Sequence, residues 1–287
     1  MTSDMGENST FTFMQLADPQ FGLFAHYSGR TADEASELRA RGLPVRAQPR
    51  FEHWDEEKRL LKLAIAKANS LRPAFVVVCG DMVMKHDNEA QREDLLKIAG
   101  ELDPGLPVYW VAGNHDVGVD YYTPTRESLA AYRKHFGRDY YSFTFGNSRF
   151  ITINSPLLDR PEGSPTDYED QQAWLQVQLA AARHGETDHT VLFTHHPPFL
   201  QHAEEPDEVW NIPIARRRPL LDMLSEAGVR AVFAGHTHEN VYARHGAMEI
   251  VASAAVGFNR MGNRSGYRLV TVSPSAIEHR YFPLESG

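Results

Sequence analysis

The chain is poor in cysteine, in basic charge and in long apolar runs, and each shortage excludes something. Cys79 is the one cysteine in 287 residues, so no intrachain disulfide forms and a reducing compartment is expected. Set inside "FVVVCG", it reads as a small buried strand residue rather than a reactive thiol. Lysine and arginine number 29 against 38 aspartates and glutamates, a formal charge of −9. That balance gives no basic footprint for a nucleic-acid backbone or an anionic membrane, so neither is an expected partner. No apolar run approaches the roughly 20 residues of a membrane-spanning helix. The opening "MTSDMGENST" lacks the basic start and apolar core of a secretory leader, and a cytoplasmic location is expected. No repeat, linker or low-complexity block interrupts the chain, so one domain over residues 1–287 is expected.

Strand-like runs alternate with helical patterns. "FTFMQLA" is strand-like and is followed by a long polar excursion at 23–53, read as a loop. "DEEKRLLKLAIAKANSLRP" carries Leu60, Ala64, Ala68 and Leu71 on one helical stripe stopped by Pro73. "AFVVVCG" and "PVYWVAG" read as buried strands, and "NEAQREDLLKIAGEL" and "RESLAAYRKHFG" as helices. Two β-runs flank Gly146-Asn147, a hairpin signal. Helix, strand and helix follow in "DQQAWLQVQLAAAR", "HTVLFTHH" and "RPLLDMLSEAG", and the tail after "VRAVFAGHTH" is nearly all β. A βαβ half followed without a seam by a β-rich half predicts two packed sheets flanked by helices.

Five of these apolar strands end in polar residues of ligand type. They are Asp18 and Gln20; Gly80-Asp81; Gly113-Asn114-His115-Asp116; His195-His196; and Gly235-His236-Thr237-His238. A single Gly-Asp after a strand is ordinarily a turn, and a lone histidine pair is ordinarily surface or satisfied core. Five coincident endings are hard to explain that way, because open α/β sheets gather function at the carboxyl ends of their strands. In an extended segment Asp18 and Gln20, two apart, aim at one spot. Carboxylates, amides and imidazoles together offer mixed oxygen and nitrogen donors, which suit Mn, Fe or Zn better than Ca or Mg. No thiolate takes part, which excludes a structural zinc knuckle. The set is too large for one ion. Two divalent ions about 3.5–4 Å apart need a bridging carboxylate, clamp both oxygens of an in-line phosphoryl displacement, and share a solvent ligand that ionises near neutral pH.

The order D-x-Q, GD, GNHD, H-x-P and GHTH resembles the calcineurin-like metallophosphoesterases. "ADPQFG", "GNHDVG" and "AGHTH" followed by "VASAAVG" are similar to the branch called calcineurin-like phosphoesterase domain-containing protein, described as serine/threonine phosphatases. The resemblance implies a four-layer α/β/β/α sandwich and a phosphoesterase. Its expected substrate is a phosphomonoester, either a phosphoprotein or a small phosphate ester, attacked by a metal-bridging hydroxide. A nucleotide phosphodiesterase or diphosphatase, and a catalytically silent scaffold, are the alternatives. The D-x-Q form also occurs in the ADP-ribose/CDP-alcohol diphosphatase branch.

Carried over residue by residue, the resemblance implies two divalent ions. Asp18, Gln20 and His238 would hold one and Asn114, His195 and His236 the other, with Asp81 bridging. In "THHPP" His195 is taken as the histidine of H-x-P, with its neighbour His196 the alternative ligand on strand parity. A turn after Gly235 would splay His236 and His238 toward neighbouring ions. His115 would face the phosphate, stabilising charge or protonating the leaving oxygen. Asp116 is the candidate to orient it, although adjacent side chains often diverge. The related GDxVDRG phosphatases have an acid and an arginine where this chain reads "GDMVMKH", with Met84 in the acid's place. "ARRRP" at 215–219 and "EEPDE" at 204–208 read as solvated segments, the second also able to gate the cleft. Arg260 and Arg264 are candidate phosphate ligands, and Phe21, His26 and Tyr122 candidate pocket-lining residues.

Overall fold

The structure, a computed structural model, describes residues 10–41, 47–184, 187–259 and 263–285. In chain order its elements are β1 (Phe11–Leu16), α1 (Leu23–Tyr27), α2 (Ala32–Ala40), α3 (Asp55–Leu71), β2 (Val76–Cys79), α4 (Glu89–Ala99), β3 (Val108–Val111) and α5 (Asn114–Val117). There follow α6 (Arg126–Phe136), β4 (Tyr141–Phe145), β5 (Ser148–Thr152), α7 (Pro156–Asp159), α8 (Pro165–His184), β6 (His189–Phe193) and α9 (Ile214–Glu226). The chain closes through β7 (Ala231–Ala234), β8 (Val241–His245), β9 (Met248–Ala252), β10 (Gly266–Val272) and β11 (Ile277–Pro283).

Two mixed sheets result, ordered β11-β10-β1-β2-β3 and β4-β5-β6-β7-β9-β8. β1, β2 and β3 run parallel, as do β5, β6, β7 and β9, while the remaining strands pair antiparallel. Leu16 pairs with Val78 and Cys79 with Val111, so the first three strands finish almost level. Phe193 pairs with Phe233, which does the same for β6 and β7. All five ligand-bearing ends therefore open on one side.

Phenylalanine fills the space between the sheets. Phe13, Phe75, Phe150, Phe193 and Phe233 are fully buried together. Phe13 stacks on Phe75 with ring centroids 4.9 Å apart, and Phe150 on Phe193 at 5.7 Å. Truncating such a ring to alanine costs about 3–5 kcal/mol, so this layer holds the two sheets at fixed spacing. On the outer face of the first sheet, α3 presents Leu60, Leu61, Ala64, Ile65 and Ala68. Leu71 departs from the expected stripe and is 42% exposed, because it closes the final turn before left-handed Arg72 leads the chain away. Leu175 and Leu179 of α8 with Leu220, Leu221 and Leu224 of α9 cover the second sheet. The architecture is the expected α/β/β/α sandwich.

The 23–53 stretch is not a plain loop. It carries α1 and α2, the latter started by a capping box in which Thr31 and Glu34 satisfy each other's backbone N–H groups. Among the described residues no helix is long and apolar enough to cross a membrane.

Candidate metal centre

The strand ends converge by turning left-handed rather than by staying extended. Asp18 (φ 48°), Gln20 (37°), Asp81 (51°), His236 (69°) and His238 (54°) all have positive φ, which is uncommon for residues with a Cβ. The expectation that Asp18 and Gln20 align through strand parity is thus corrected. Each sits in its own turn, strained by about 1–3 kcal/mol and held by the surrounding structure. Asp18 N donates to Gly80 O (3.1 Å) and Gln20 N to Asp81 O (2.8 Å), lacing the ends of β1 and β2 together. Two glycines permit this approach. Gly80 has φ 83°, and a Cβ on it would run into the His195 imidazole. A Cβ on Gly235 would lie 2.5 Å from the Cys79 carbonyl oxygen and 2.6 Å from the Asp18 carboxylate.

Three histidines are oriented by backbone carbonyls. His195 Nδ1 lies 3.0 Å from Cys79 O, His236 Nε2 2.7 Å from Val209 O, and His238 Nδ1 2.5 Å from Phe258 O. In each case the carbonyl fixes the N–H on that nitrogen and turns the other lone pair inward, the usual support of a metal-binding imidazole. The inward atoms then crowd together. His195 Nε2 is 2.9 Å from Asn114 Oδ1, 3.1 Å from His236 Nδ1 and 3.3 Å from Asp81 Oδ2. Four ligand-type atoms facing one another at this range fit a cation among them.

A second knot lies alongside. Asp18 and Asp81 are buried carboxylates, and Asp18 Oδ1 is 3.6 Å from His238 Nε2. Gln20 Nε2 is 3.4 Å from Asp81 Oδ2, while Gln20 Oε1 is buried with no hydrogen-bond partner. A buried carbonyl oxygen without a partner is costly unless a cation or a donor meets it. Asp18, Asp81 and His195 bring ligand atoms within 4.8 Å of one another, as do His195, His196 and His236. These two adjoining clusters fit a dinuclear centre of divalent ions with oxygen and nitrogen donors.

Among the protein's own groups the electrostatics are strained. Burial pushes the Asp18 carboxyl well above its ordinary range, more than the neighbouring His195 can offset. Burial also opposes ionisation of Asp81, but the imidazoles of His195 and His115 hold it low. Burial disfavours a charged His195, yet the Asp81 and Asp18 carboxylates hold it up at about 9, so a proton takes the cation's place there. Burial and the adjacent His195 push His236 well down. Divalent ions would keep both carboxylates ionised and displace that proton.

His115 stands apart from the clusters. Its backbone N–H donates to Asp81 Oδ1 (2.9 Å), and its Nδ1 lies 2.8 Å from Met84 O. Its ring packs on Tyr122, with centroids 4.6 Å apart. Asp116 does not orient it. The Asp116 carboxylate accepts the backbone N–H groups of Met82 (2.8 Å), Val83 (3.3 Å) and Gly113 (2.9 Å), fastening the β2 and β3 turns together. Adjacent side chains on a helical turn diverge, and this one points into the protein, where burial and then Asp81 push its carboxyl up to about 8.

The clusters form the floor of a cleft of about 760 Å³ lined by Gln20, Asp81, Asn114, His115, His196, His236 and His238. Tyr27, Tyr122, Trp210 and Phe258 form aromatic walls. Tyr122 is the expected pocket residue that lines it, whereas Phe21 is fully buried in the core beneath α3. Arg264 is exposed, and Arg260 lies outside the described residues. The cleft's arginines are instead Arg160 and Arg216, the second from the "ARRRP" segment.

The segments read as solvated are built into the site. Arg217 is fully buried, donating to Pro198 O and Glu205 O with its guanidinium 3.8 Å from the Glu205 carboxylate. Glu205 in turn accepts the backbone N–H groups of Leu200 (2.7 Å) and Gln201 (2.8 Å). This staple fixes the loop whose Val209 carbonyl holds His236. Asp207 and Glu208 of the same loop line the cleft.

The model of the family described as calcineurin-like phosphoesterase matches residues 11–240. Serine/threonine-protein phosphatase CPPED1 of Bos taurus is 34% identical over 96% of this chain and 84% of its own. The Homo sapiens protein of that name is 33% identical with the same coverage. A solved dimetal phosphatase from Danio rerio superposes with a TM-score of 0.63 at 19% identity, covering 94% of this chain and 98% of that one, a likeness of fold. With the metal-binding strand ends in place, these matches make the chain a member of the calcineurin-like phosphoesterase family, in its CPPED-type branch, and a metal-dependent phosphoesterase.

Proposed function

We propose that the chain hydrolyses phosphomonoesters, with a phosphorylated serine or threonine segment or a small phosphate ester as substrate. The observation that carries this reading is the knot of His195 Nε2, Asn114 Oδ1, His236 Nδ1 and Asp81 Oδ2 at the floor of an open cleft. Asp18, Gln20 and His238 would hold the first ion and Asn114, His195 and His236 the second, with Asp81 placed to serve both. When bound, the two ions supply Lewis acidity and a water ionised near neutral pH. The chain's own residues do the rest. The Met84 carbonyl keeps a proton on His115 Nδ1, so His115 Nε2 is the atom that meets the phosphate or the leaving oxygen. Asp116 keeps the turns carrying Asp81 and Asn114 in mutual register.

The monoester preference is supported by the Bos taurus and Homo sapiens relatives, which are named serine/threonine-protein phosphatases. A phosphorylated segment of a protein is supported by the cleft's breadth and by two apolar side chains that stand uncovered among its lining, Val209 at 72% exposure and Tyr122 at 46%. The test is a panel of para-nitrophenyl phosphate, bis-para-nitrophenyl phosphate, phosphopeptides and ADP-ribose, each with Mn, Fe, Zn and Mg. Monoesters are expected to give the highest kcat/KM. Faster turnover of bis-para-nitrophenyl phosphate or ADP-ribose would reassign the protein to diester or diphosphate hydrolysis.

A further inference from the structure

His196, the histidine next to the ligand His195, is buried yet opens on the cleft, and the family motif gives it no task. Its hydrogen bonds decide which nitrogen carries its proton. Ser155 Oγ accepts the His196 backbone N–H at 2.9 Å and lies 2.9 Å from His196 Nδ1. Ser155, fully buried just before α7, has one hydroxyl hydrogen, and His196 Nδ1 is its one acceptor among the described residues. The arrangement that uses every hydrogen has Ser155 donating to Nδ1, which places the ring proton on Nε2. Nε2 has no protein partner among the described residues, although a ring nitrogen of His196 lies within 4.8 Å of ligand atoms of His195 and His236. The ring packs against His236 at 4.2 Å between centroids and cannot swing away freely.

The arginines of the cleft are already engaged. Arg216 already gives its guanidinium to the carbonyls of Leu158 and Asp159, and Arg160 is 3.5 Å from the Asp159 carboxylate. Lys85, which follows Met84, lines a separate hollow with His86 and Arg92. A phosphate resting on the site's floor would carry negative oxygens facing His115 and His196.

We infer that His196 is a substrate-binding residue whose Nε2–H, held in that tautomer by Ser155, donates to a non-bridging oxygen of the phosphate. This rests on the metal-dependent phosphoesterase reading above. A neutral donor suits the place, because it adds no positive charge beside two cations and keeps its lone pair away from them. Its hydrogen bond to a charged oxygen belongs to the stronger class.

The experiment compares wild type, His196→Ala, His196→Gln and Ser155→Ala, all loaded with manganese, for metal content, orthovanadate affinity and kcat/KM on para-nitrophenyl phosphate. His196→Ala is expected to keep two ions per chain while orthovanadate affinity and kcat/KM fall about 10- to 100-fold. His196→Gln, whose amide N–H reaches a similar point, should recover part of both, and Ser155→Ala should lose less than His196→Ala. In the zinc-loaded wild type, long-range ¹⁵N spectra should show His196 with Nδ1 unprotonated and Nε2 protonated. A proton on Nδ1, loss of an ion in His196→Ala, or unchanged orthovanadate affinity in that variant would each overturn the assignment. A wild-type protein holding two ions that neither hydrolyses the ester nor binds orthovanadate would overturn the functional reading itself.

Discussion

The Nδ1 of His115 lies 2.8 Å from the backbone carbonyl oxygen of Met84, the residue that stands where related phosphatases carry an acid. A main-chain oxygen thus supplies the acceptor that a carboxylate would, without adding charge near the clusters. The loop is fixed for the purpose. Met84 N donates to Phe21 O (3.1 Å) and lies 3.1 Å from Gln91 Oε1. Since the side chain of Met84 is not the acceptor, Met84→Leu should leave turnover nearly unchanged. His115→Ala should keep both ions and lower kcat by about 10²–10⁴. The loss should shrink for aryl esters, whose leaving oxygen scarcely needs a proton. Equal losses for aryl and alkyl esters would make His115 a stabiliser of phosphate charge rather than a proton donor.

Asp81 lies between the two clusters, with Oδ2 3.3 Å from His195 Nε2 and 3.4 Å from Gln20 Nε2. Asp81→Asn removes the negative charge that both ions would share. Metal analysis should find fewer than two equivalents and hydrolysis should be lost, while the far-ultraviolet circular dichroism spectrum stays that of the wild type. Two full equivalents in the variant would show that Asp81 does not join the ions.

The donor types at the site were legible because each motif sits at a strand end, and strand ends follow from runs such as "FVVVC" and "VYWV". What could not be read was the backbone. Asp18, Gln20, Asp81, His236 and His238 adopt left-handed conformations that local propensity disfavours, and tertiary packing around Gly80 and Gly235 imposes them. The same limit applies to Met84 and Val209, which act through carbonyl oxygens that every residue possesses. Arg217 was read as a solvated charge because its neighbours Arg216 and Arg218 suggested a basic face. Burial was decided by Glu205 and the Pro198 carbonyl, far from any sequence pattern. Helix α1 spans five residues, too short to show a helical period, and α2 has few apolar residues, leaving Thr31 and Glu34 as the signal that a capping-box reading catches.

Glu57 gives a pH signature unrelated to catalysis. It is buried on α3, and its Oε1 accepts the N–H groups of Gly22 (3.0 Å) and Phe24 (2.9 Å), while Oε2 has no partner. Burial pushes its carboxyl up from 4.5 to about 7, against the pull of those donors. The folded protein therefore holds this proton more tightly than the unfolded chain. Stability from this group is full below about 4.5 and is lost as pH rises through about 7, by about 3 kcal/mol. Glu57→Gln keeps an acceptor for the two N–H groups and removes the titration. At fixed metal, the difference in unfolding free energy between variant and wild type should widen in the variant's favour from pH 5 to pH 7.5. A constant difference over that range would show that Glu57 titrates alike in both states.

Gln20 carries the sharpest prediction about the ions. Its carbonyl oxygen is buried and unpartnered, while its Nε2 lies 3.4 Å from Asp81 Oδ2. The Asp18 and Asp81 carboxylates already bring anionic oxygen to the first ion. A neutral amide oxygen is a harder and weaker donor than imidazole, so the ion it meets is more Lewis acidic and less tightly held, with a bias toward Mn or Fe(II) over zinc. Gln20→His should accordingly retain its first ion longer against a chelator and shift activity toward zinc. The alternative is that the Gln20 amide only hydrogen-bonds solvent at the site and never meets the ion. In that event Gln20→His would leave both chelator sensitivity and metal preference as they are in the wild type, and Asp18 would hold the first ion there without it.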